Sequence, residues 1–323
     1  MRISVLMPVY NGAGFVQRAL DSVYAQTRPA DEIIVVDDGS SDATPEILER
    51  NRPRITVLTQ PNRGRSAARN AALERAGGEY VAFLDADDAF LPAHLEQLEQ
   101  RVQREPGEIV FDGLAEPFFP AGARMPRKPE GRRAWRHLAN CQIWIQTAMV
   151  SRPWVRAHGL RFDPELHIAE DALFFWQMLL LGARVRHVRL PGTRIGIHPA
   201  NTTADAVATY RATLRAYDRL EAFVRERGVS MPPAWRRAIR QGRRHKEIMA
   251  QLLAFYAAPA AERRAALGPI LRAALAATPT RSVERLRCLL ALVWALGVGR
   301  GWQPFERRVF GFSICRTATG FVP

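Results

Sequence analysis

Cysteine is scarce: Cys141, Cys288 and Cys315 are the only three in 323 residues. They form no CxxC pair and no zinc-ligand spacing with histidine, so neither a zinc-held nor a disulfide-held scaffold is expected. A sparse, odd count fits a reducing compartment. Long apolar runs are also missing. The longest, Cys288 to Gly299, falls short of the ~20 residues that cross a bilayer. Residues 1–20 lack an apolar stretch followed by a small-residue cleavage site, and read as strand and helix rather than as a signal peptide. The expected location is the cytoplasm, alone or attached peripherally to the inner face of a membrane. No GxGxxG or Walker loop occurs, and residues 1–30 contain no lysine. That argues against a nucleotidyltransferase, the alternative metal-dependent reading, whose phosphate loop and lysine would sit near the first strand. Zinc and helix-turn-helix signatures are absent as well, so no nucleic-acid partner is expected. There is no internal repeat.

The charge is unevenly spread. Residues 1–100 carry 10 Lys/Arg against 15 Asp/Glu, residues 101–200 carry 15 against 9, and residues 201–323 carry 21 against 8. The net +14 therefore lies behind an acidic first third. With 47% hydrophobic residues the chain can build a packed core.

Punctuated apolar runs dominate the first hundred residues. Ile3 to Val9 suits a buried strand and is broken by Asn11-Gly12-Ala13-Gly14. Phe15, Ala19, Leu20 and Val23 then recur at helical spacing. Glu32 to Val36 is a second strand, ending in Asp37-Asp38-Gly39. Thr44-Pro45 opens a helix, Ile55 to Leu58 is a third strand, and Ser66 to Ala76 is helical. Tyr80 to Leu84 is a fourth strand, running into Asp85-Ala86-Asp87-Asp88. Alternating elements with strands apolar on both faces predict an α/β fold, a mostly parallel, Rossmann-like sheet flanked by helices. Such sheets bind ligands at the carboxyl ends of their strands. Here those ends carry Tyr10-Asn11, Asp37-Asp38 and Asp85 to Asp88. Residues 112–135, rich in Pro, Gly and Arg, read as a loop. Trp135 to Val150 and Asp171 to Leu181 read as helices, and Val185 to Leu190 as a strand. From Thr209 onward the pattern is helical. The expected division is a catalytic domain over 1–204, with halves 1–111 and 112–204, and a basic helical region over 205–323.

Three blocks carry a resemblance. VLMPVYNGAGFVQRALDSVYAQT, IIVVDDGSSDAT and NRGRSAARNAALERAGGEYVAFLDADD, in that order and spacing, resemble family 2 glycosyltransferases of the GT-A fold. The likeness is strong to about residue 115, weaker to about 200 through IAEDALFFW and IGIHPANTT, and does not extend to 205–323. It implies an inverting transfer of sugar from a nucleotide-sugar donor, with UDP favoured, to a saccharide or lipid-linked saccharide acceptor in cell-surface polysaccharide or glycolipid synthesis. No QxxRW motif accompanies it, so one sugar per binding event is expected.

The residues support these roles on their own chemistry. Clustered carboxylates repel unless a cation offsets them. Hard divalent ions take oxygen ligands, so the Asp85–Asp88 run suits Mn2+ or Mg2+ beside a diphosphate, and the resemblance reads it as the DxD element. Asp85 and Asp87 are expected at the donor, Asp87 and Asp88 at the metal; a helix N-cap is the alternative for this cluster. Asp37 and Asp38 can bind base or ribose or cap the turn at Gly39, and the resemblance favours Asp38 for the base. Pro8 and Tyr10 can flank the base. Arg65 and Arg69 stand at a helix start suited to phosphate, Arg65 foremost. Glu170-Asp171 opens an apolar helix, and the resemblance makes Asp171 the general base. Glu170 and Trp176 are expected at the acceptor, with packing in the core the alternative for Trp176. His198 can complete the metal site or be a structural histidine. Arg236, Arg237, Arg240, Arg243, Arg244 and Lys246 recur along a helical stretch, which suits an anionic membrane surface or another protein face.

Overall fold

The computed structural model describes residues 1–114, 128, 130–138, 143–196, 206–257, 315–317 and 320–322. Four of the expected strands form with little change: β1 (Ile3–Val9), β2 (Glu32–Asp37), β3 (Thr56–Thr59) and β4 (Tyr80–Phe83). The helices between them are α1 (Val16–Tyr24), α2 (Thr44–Asn51) and α3 (Arg65–Arg75). β1 pairs in parallel with β2 and β4, and β2 with β3. Every residue of β1 is buried, which is why its sequence is apolar without alternation. On one face Val5, Met7 and Val35 meet Val16, Leu20 and Val23 of α1. On the other, Phe83 stands edge-on to Phe162 and Phe174, which stack on each other with ring centroids 4.3 Å apart.

Beyond β4 the sheet changes character. It continues through β5 (Ala89–Phe90), β6 (Ile109–Leu114), β7 (Ala148–Ser151) and β8 (Val185–Arg194), in the order β3-β2-β1-β4-β7-β6-β8-β5. β7 is antiparallel to both β4 and β6, and β5 is antiparallel to β8. The parallel pattern thus holds in the first half, and the whole sheet is mixed. Helices α4 (His94–Arg104), α5 (Arg152–Ala157) and α6 (Glu170–Leu180) complete this part.

Two expectations fail here. Trp135 to Val150 is not an α-helix. It contains the end of a 3-10 turn over Gly131–Leu138, a second over Ile145–Thr147, and then β7. The apolar Ala148-Met149-Val150 segment is buried between two strands, and a run that short has the same pattern in a buried helix. The loop expected from residue 112 does not start there, because Asp112 to Leu114 finish β6; residues 115–127 lie outside the described residues.

The chain divides into two compact units: Met1–Ile197 with Asp218–Ala238, and His198–Tyr217 with Ile239–Pro323. The division expected at 204/205 would place 218–238 in the second. Helix α7 (Ala206–Glu226) contributes to both units, as does α8 (Pro233–Ala257). The described part of the C-terminal region is helical apart from a short antiparallel pair, β9 (Cys315–Thr317) and β10 (Gly320–Val322). Among the described residues no helix is long and apolar enough to cross a membrane.

Candidate active site

The carboxyl ends of β2, β1 and β4 meet at one edge, and their loops are stitched together. Asn11, with φ 48°, receives a hydrogen bond from the Ser41 N–H on its side-chain oxygen, 2.8 Å, and its own N–H donates to Ser40 Oγ, 2.9 Å. Gly39 holds φ 79°, and a Cβ there would stand 2.9 Å from the Asn62 nitrogen. Only glycine makes that turn without strain. Tyr10 projects from this edge, 51% exposed. Pro8 lies buried within β1.

Both aspartates after β2 have internal hydrogen-bond partners. Asp37 accepts the Ser40 N–H at 2.9 Å, the turn-capping role. Asp38 accepts from Gln60 Nε2 at 2.7 Å, the Arg63 N–H at 2.9 Å and the Gly64 N–H at 2.8 Å. Each is 3% exposed. Asp38 therefore holds the 60–64 loop that leads into α3, and its three protein donors leave few lone pairs for a base.

At the end of β4 the chain turns through Asp85 to Asp88, closed by the Asp88 N–H on the Asp85 carbonyl at 3.0 Å. Asp88 is buried and accepts the Gly196 N–H at 2.8 Å. Gly196 lies so close to the Asp87 carbonyl that a Cβ would be 2.1 Å away. Burial, then the charges of Asp85 and Asp87, push the Asp88 carboxyl up to about 8. Asp87 is half-buried, and its carbonyl accepts from Arg18 at 2.7 Å.

Arg69 joins this cluster to α6. It is 1% exposed, donating from Nη2 to Asp85 Oδ1 at 2.6 Å and from Nη1 to Glu170 Oε1 at 2.7 Å. Burial alone would weaken its charge, but the two carboxylates outweigh burial and hold it protonated. Burial would raise the Asp85 carboxyl; Arg69 and Arg65 overcome that and lower it. Arg65 Nε lies 3.8 Å from the same Glu170 oxygen. Arg69 is thus a buried bridge, not a free phosphate ligand. Sequence pattern could not show this, because both of its partners are remote in the chain.

Asp171 stands in the first turn of α6, after Ala169 in the left-handed conformation at φ 65°. Its carboxyl is pushed up to about 6, first by burial and then by Glu170, against the pull of Arg69. A carboxylate poised there can accept a proton near neutral pH. Glu170 is 4% exposed, held by the two arginines. Trp176 corrects an expectation: it is 1% exposed, and its indole N–H donates to the His137 carbonyl at 2.7 Å. It packs in the core and offers no face to an acceptor. His198 lies outside the described residues.

Divalent metal fits this edge in part. Among the described residues no three His, Cys, Asp or Glu side chains form a ready metal cluster. The Asp88 carboxyl is raised first by burial and then by the charges of Asp85 and Asp87, and a dication would relieve that second part. Asp87 is the more reachable ligand, because Asp88 is buried and already bonded to Gly196.

A mixed sheet with acidic strand ends and helices on both faces defines the GT-A class. Two solved structures share the fold: Staphylococcus aureus TarS 1–349 in complex with UDP-GlcNAc, TM-score 0.60 and 20% identity over 91% of this chain and 88% of that one, and the mannosyltransferase PcManGT of Pyrobaculum calidifontis in complex with GDP-Man and Mn2+, TM-score 0.61 and 20% identity over 96% and 83%. Residues 4–153 match the family model described as Glycosyl transferase family 2. That match covers a little under half of the 323 residues, so the first half of the chain is similar to family 2 glycosyltransferases. Among its relatives, the succinoglycan biosynthesis protein ExoO of Rhizobium meliloti is 30% identical over 199 residues, 56% of this chain and 57% of that protein. The chain therefore spans little more than half of that relative's length.

Proposed function

We propose that this protein is a family 2 glycosyltransferase that moves one sugar, with inversion, from a nucleoside-diphosphate sugar to a hydroxyl of a saccharide or lipid-linked saccharide acceptor. The observation that carries the reading is the Asp85–Arg69–Glu170 bridge, which joins the donor-side carboxylates to the helix bearing Asp171. UDP is the favoured nucleotide from the sequence resemblance, while the two solved neighbours hold UDP-GlcNAc and GDP-Man alike; ExoO's name supports polysaccharide synthesis as the setting.

Asp171 accepts the proton of the acceptor hydroxyl as that oxygen bonds to the anomeric carbon. The bond to the diphosphate oxygen breaks on the opposite face, and an α-linked donor becomes a β-linked product. Mn2+ or Mg2+, held by Asp87 with Asp88 beside it, would supply positive charge to the leaving diphosphate. Tyr10 offers its ring to the base from the end of β1, and Asp37 lies beside it at the end of β2. Arg65 adds positive charge near Glu170. NMR of the product reads the anomeric configuration: a β-linkage from an α-donor is expected, and a retained α-linkage contradicts inversion.

The basic region is proposed to bring the enzyme to anionic lipid. Arg236, Arg237, Arg240 and Arg244 are exposed on α8, and each such residue near a charged surface adds about 1 kcal/mol. Vesicles containing phosphatidylglycerol should co-sediment the protein at low salt and release it at high salt. Failure to co-sediment at low salt contradicts this attachment.

A further inference from the structure

Among the described residues three large apolar side chains are exposed: Tyr10, Leu190 and Trp144, the last at 48%. Tryptophan leaves water more readily than most residues, so a half-exposed ring held in place suggests a surface built for contact. Trp144 is held. Its neighbours Ile143 and Ile145 are 2% and 3% exposed. Its carbonyl accepts from the Thr147 N–H at 3.0 Å and from Thr147 Oγ1 at 2.9 Å. The backbone is anchored on both sides, and only the indole is presented to solvent.

Sheet topology says where. β7 runs antiparallel to β4, so the residues that precede β7 lie at the edge where the residues that follow β4 emerge. That is the edge of Asp85 to Asp88. The Thr193 hydroxyl donates to the Gln146 carbonyl at 2.9 Å, and Thr193 is paired with Phe90, just past the acidic turn. The strand order β2-β1-β4-β7 then sets Asp37, Tyr10, Asp85 and Trp144 along one edge, on successive strands about 4.8 Å apart. Tyr10 stands on the nucleotide side of the acidic turn. Trp144 stands one strand beyond it, on the side away from the nucleotide.

We propose that Trp144 is the stacking platform for the acceptor sugar. This rests on the glycosyltransferase reading and gives its acceptor side a residue. The ligand class is a pyranose with a face of axial C–H bonds. Those hydrogens carry partial positive charge from the ring oxygens, and they lie against the negative face of an indole. Aromatic contact of this kind orders few torsions, because the turn already anchors the backbone that carries the ring.

The test uses the full chain with UDP and Mn2+ and a panel of methyl α- and β-hexopyranosides, followed by saturation-transfer NMR. The wild type is expected to saturate the C–H protons of one pyranose face in at least one glycoside. Trp144→Ala should weaken that glycoside about tenfold or more, the scale for removing an aromatic anchor. Trp144→Phe should retain part of the binding. Thermal stabilisation by UDP and Mn2+ should be equal in all three proteins, which separates this inference from the donor-site reading. In turnover, Trp144→Ala should raise the acceptor KM with kcat and donor KM little changed. Equal glycoside binding by wild type and Trp144→Ala, with UDP binding intact in both, overturns the proposal.

Discussion

Replacing Asp171 by asparagine is expected to lower kcat by about 10²–10⁴-fold, the range for losing a positioned general base. Asparagine fills the same volume and keeps an acceptor for the Ala172 N–H, which reaches Asp171 Oδ1 at 2.7 Å. The fold should therefore survive, and affinity for the nucleoside diphosphate should stay within about twofold, because Asp171 is assigned to the acceptor proton and not to the donor. The wild-type pH profile makes a second demand. The base works ionised, and burial and Glu170 have raised its carboxyl to about 6. Activity should be full above that pH and fall about tenfold per unit below it. Glu170→Gln removes the second of the raising influences, after burial and ahead of Asp85, so the acid limb should move to lower pH. A limb that stays in place would mean that a different group titrates.

Replacing Arg69 is expected to give the largest stability loss in the site. Arg69→Met leaves the Glu170 carboxylate buried without its closest cation, with Asp85 losing its partner at a more open position. Breaking a buried pair in this way costs about 3–5 kcal/mol. Arg69→Lys should recover little, because one ammonium cannot reproduce a planar fork that donates to two carboxylates at once. Arg69→Met combined with Glu170→Gln should be more stable than the single Arg69→Met variant, since the stranded charge is gone; the interaction energy follows from the double-mutant cycle. Strictly additive effects, read by chemical denaturation, would contradict the bridge. In the folded fraction, kcat should also fall, because the bridge aligns the donor-side turn with the helix that carries the base.

The first half of the fold was readable because its pieces are strongly patterned. β1, β2 and β4 are buried on both faces and so largely apolar, β3 at the sheet edge is only partly buried, and each is cut off by glycine, proline or aspartate chemistry. In the second half α6 and the start of β8 were also readable, and β6 and β7 were not. β7 is short and paired antiparallel on both sides, and its three apolar residues carry no period of their own. The acidic residues of the site were legible from their place after apolar runs. Their partners were not: Arg69 meets Asp85 and Glu170, 16 and 101 positions away. Asp38, expected at the base, also holds the 60–64 loop through three donors that lie 22 to 26 positions away. Trp176 sat in an aromatic run that suited either core or acceptor, and tertiary packing put it in the core. Trp144 had no signal, because an isolated aromatic between two isoleucines reads as interior.

The account turns on a donor site made by the acidic turn after β4. The most direct test is thermal stability of the wild type and Asp87→Ala, each with Mn2+ and UDP. A ligand that binds only the folded state adds roughly 2.7 kcal/mol at a hundredfold excess over its Kd. The account predicts that UDP with Mn2+ stabilises the wild type and leaves Asp87→Ala almost unmoved. Failure of UDP, GDP and dTDP alike to stabilise the wild type with Mn2+ or Mg2+ would contradict it.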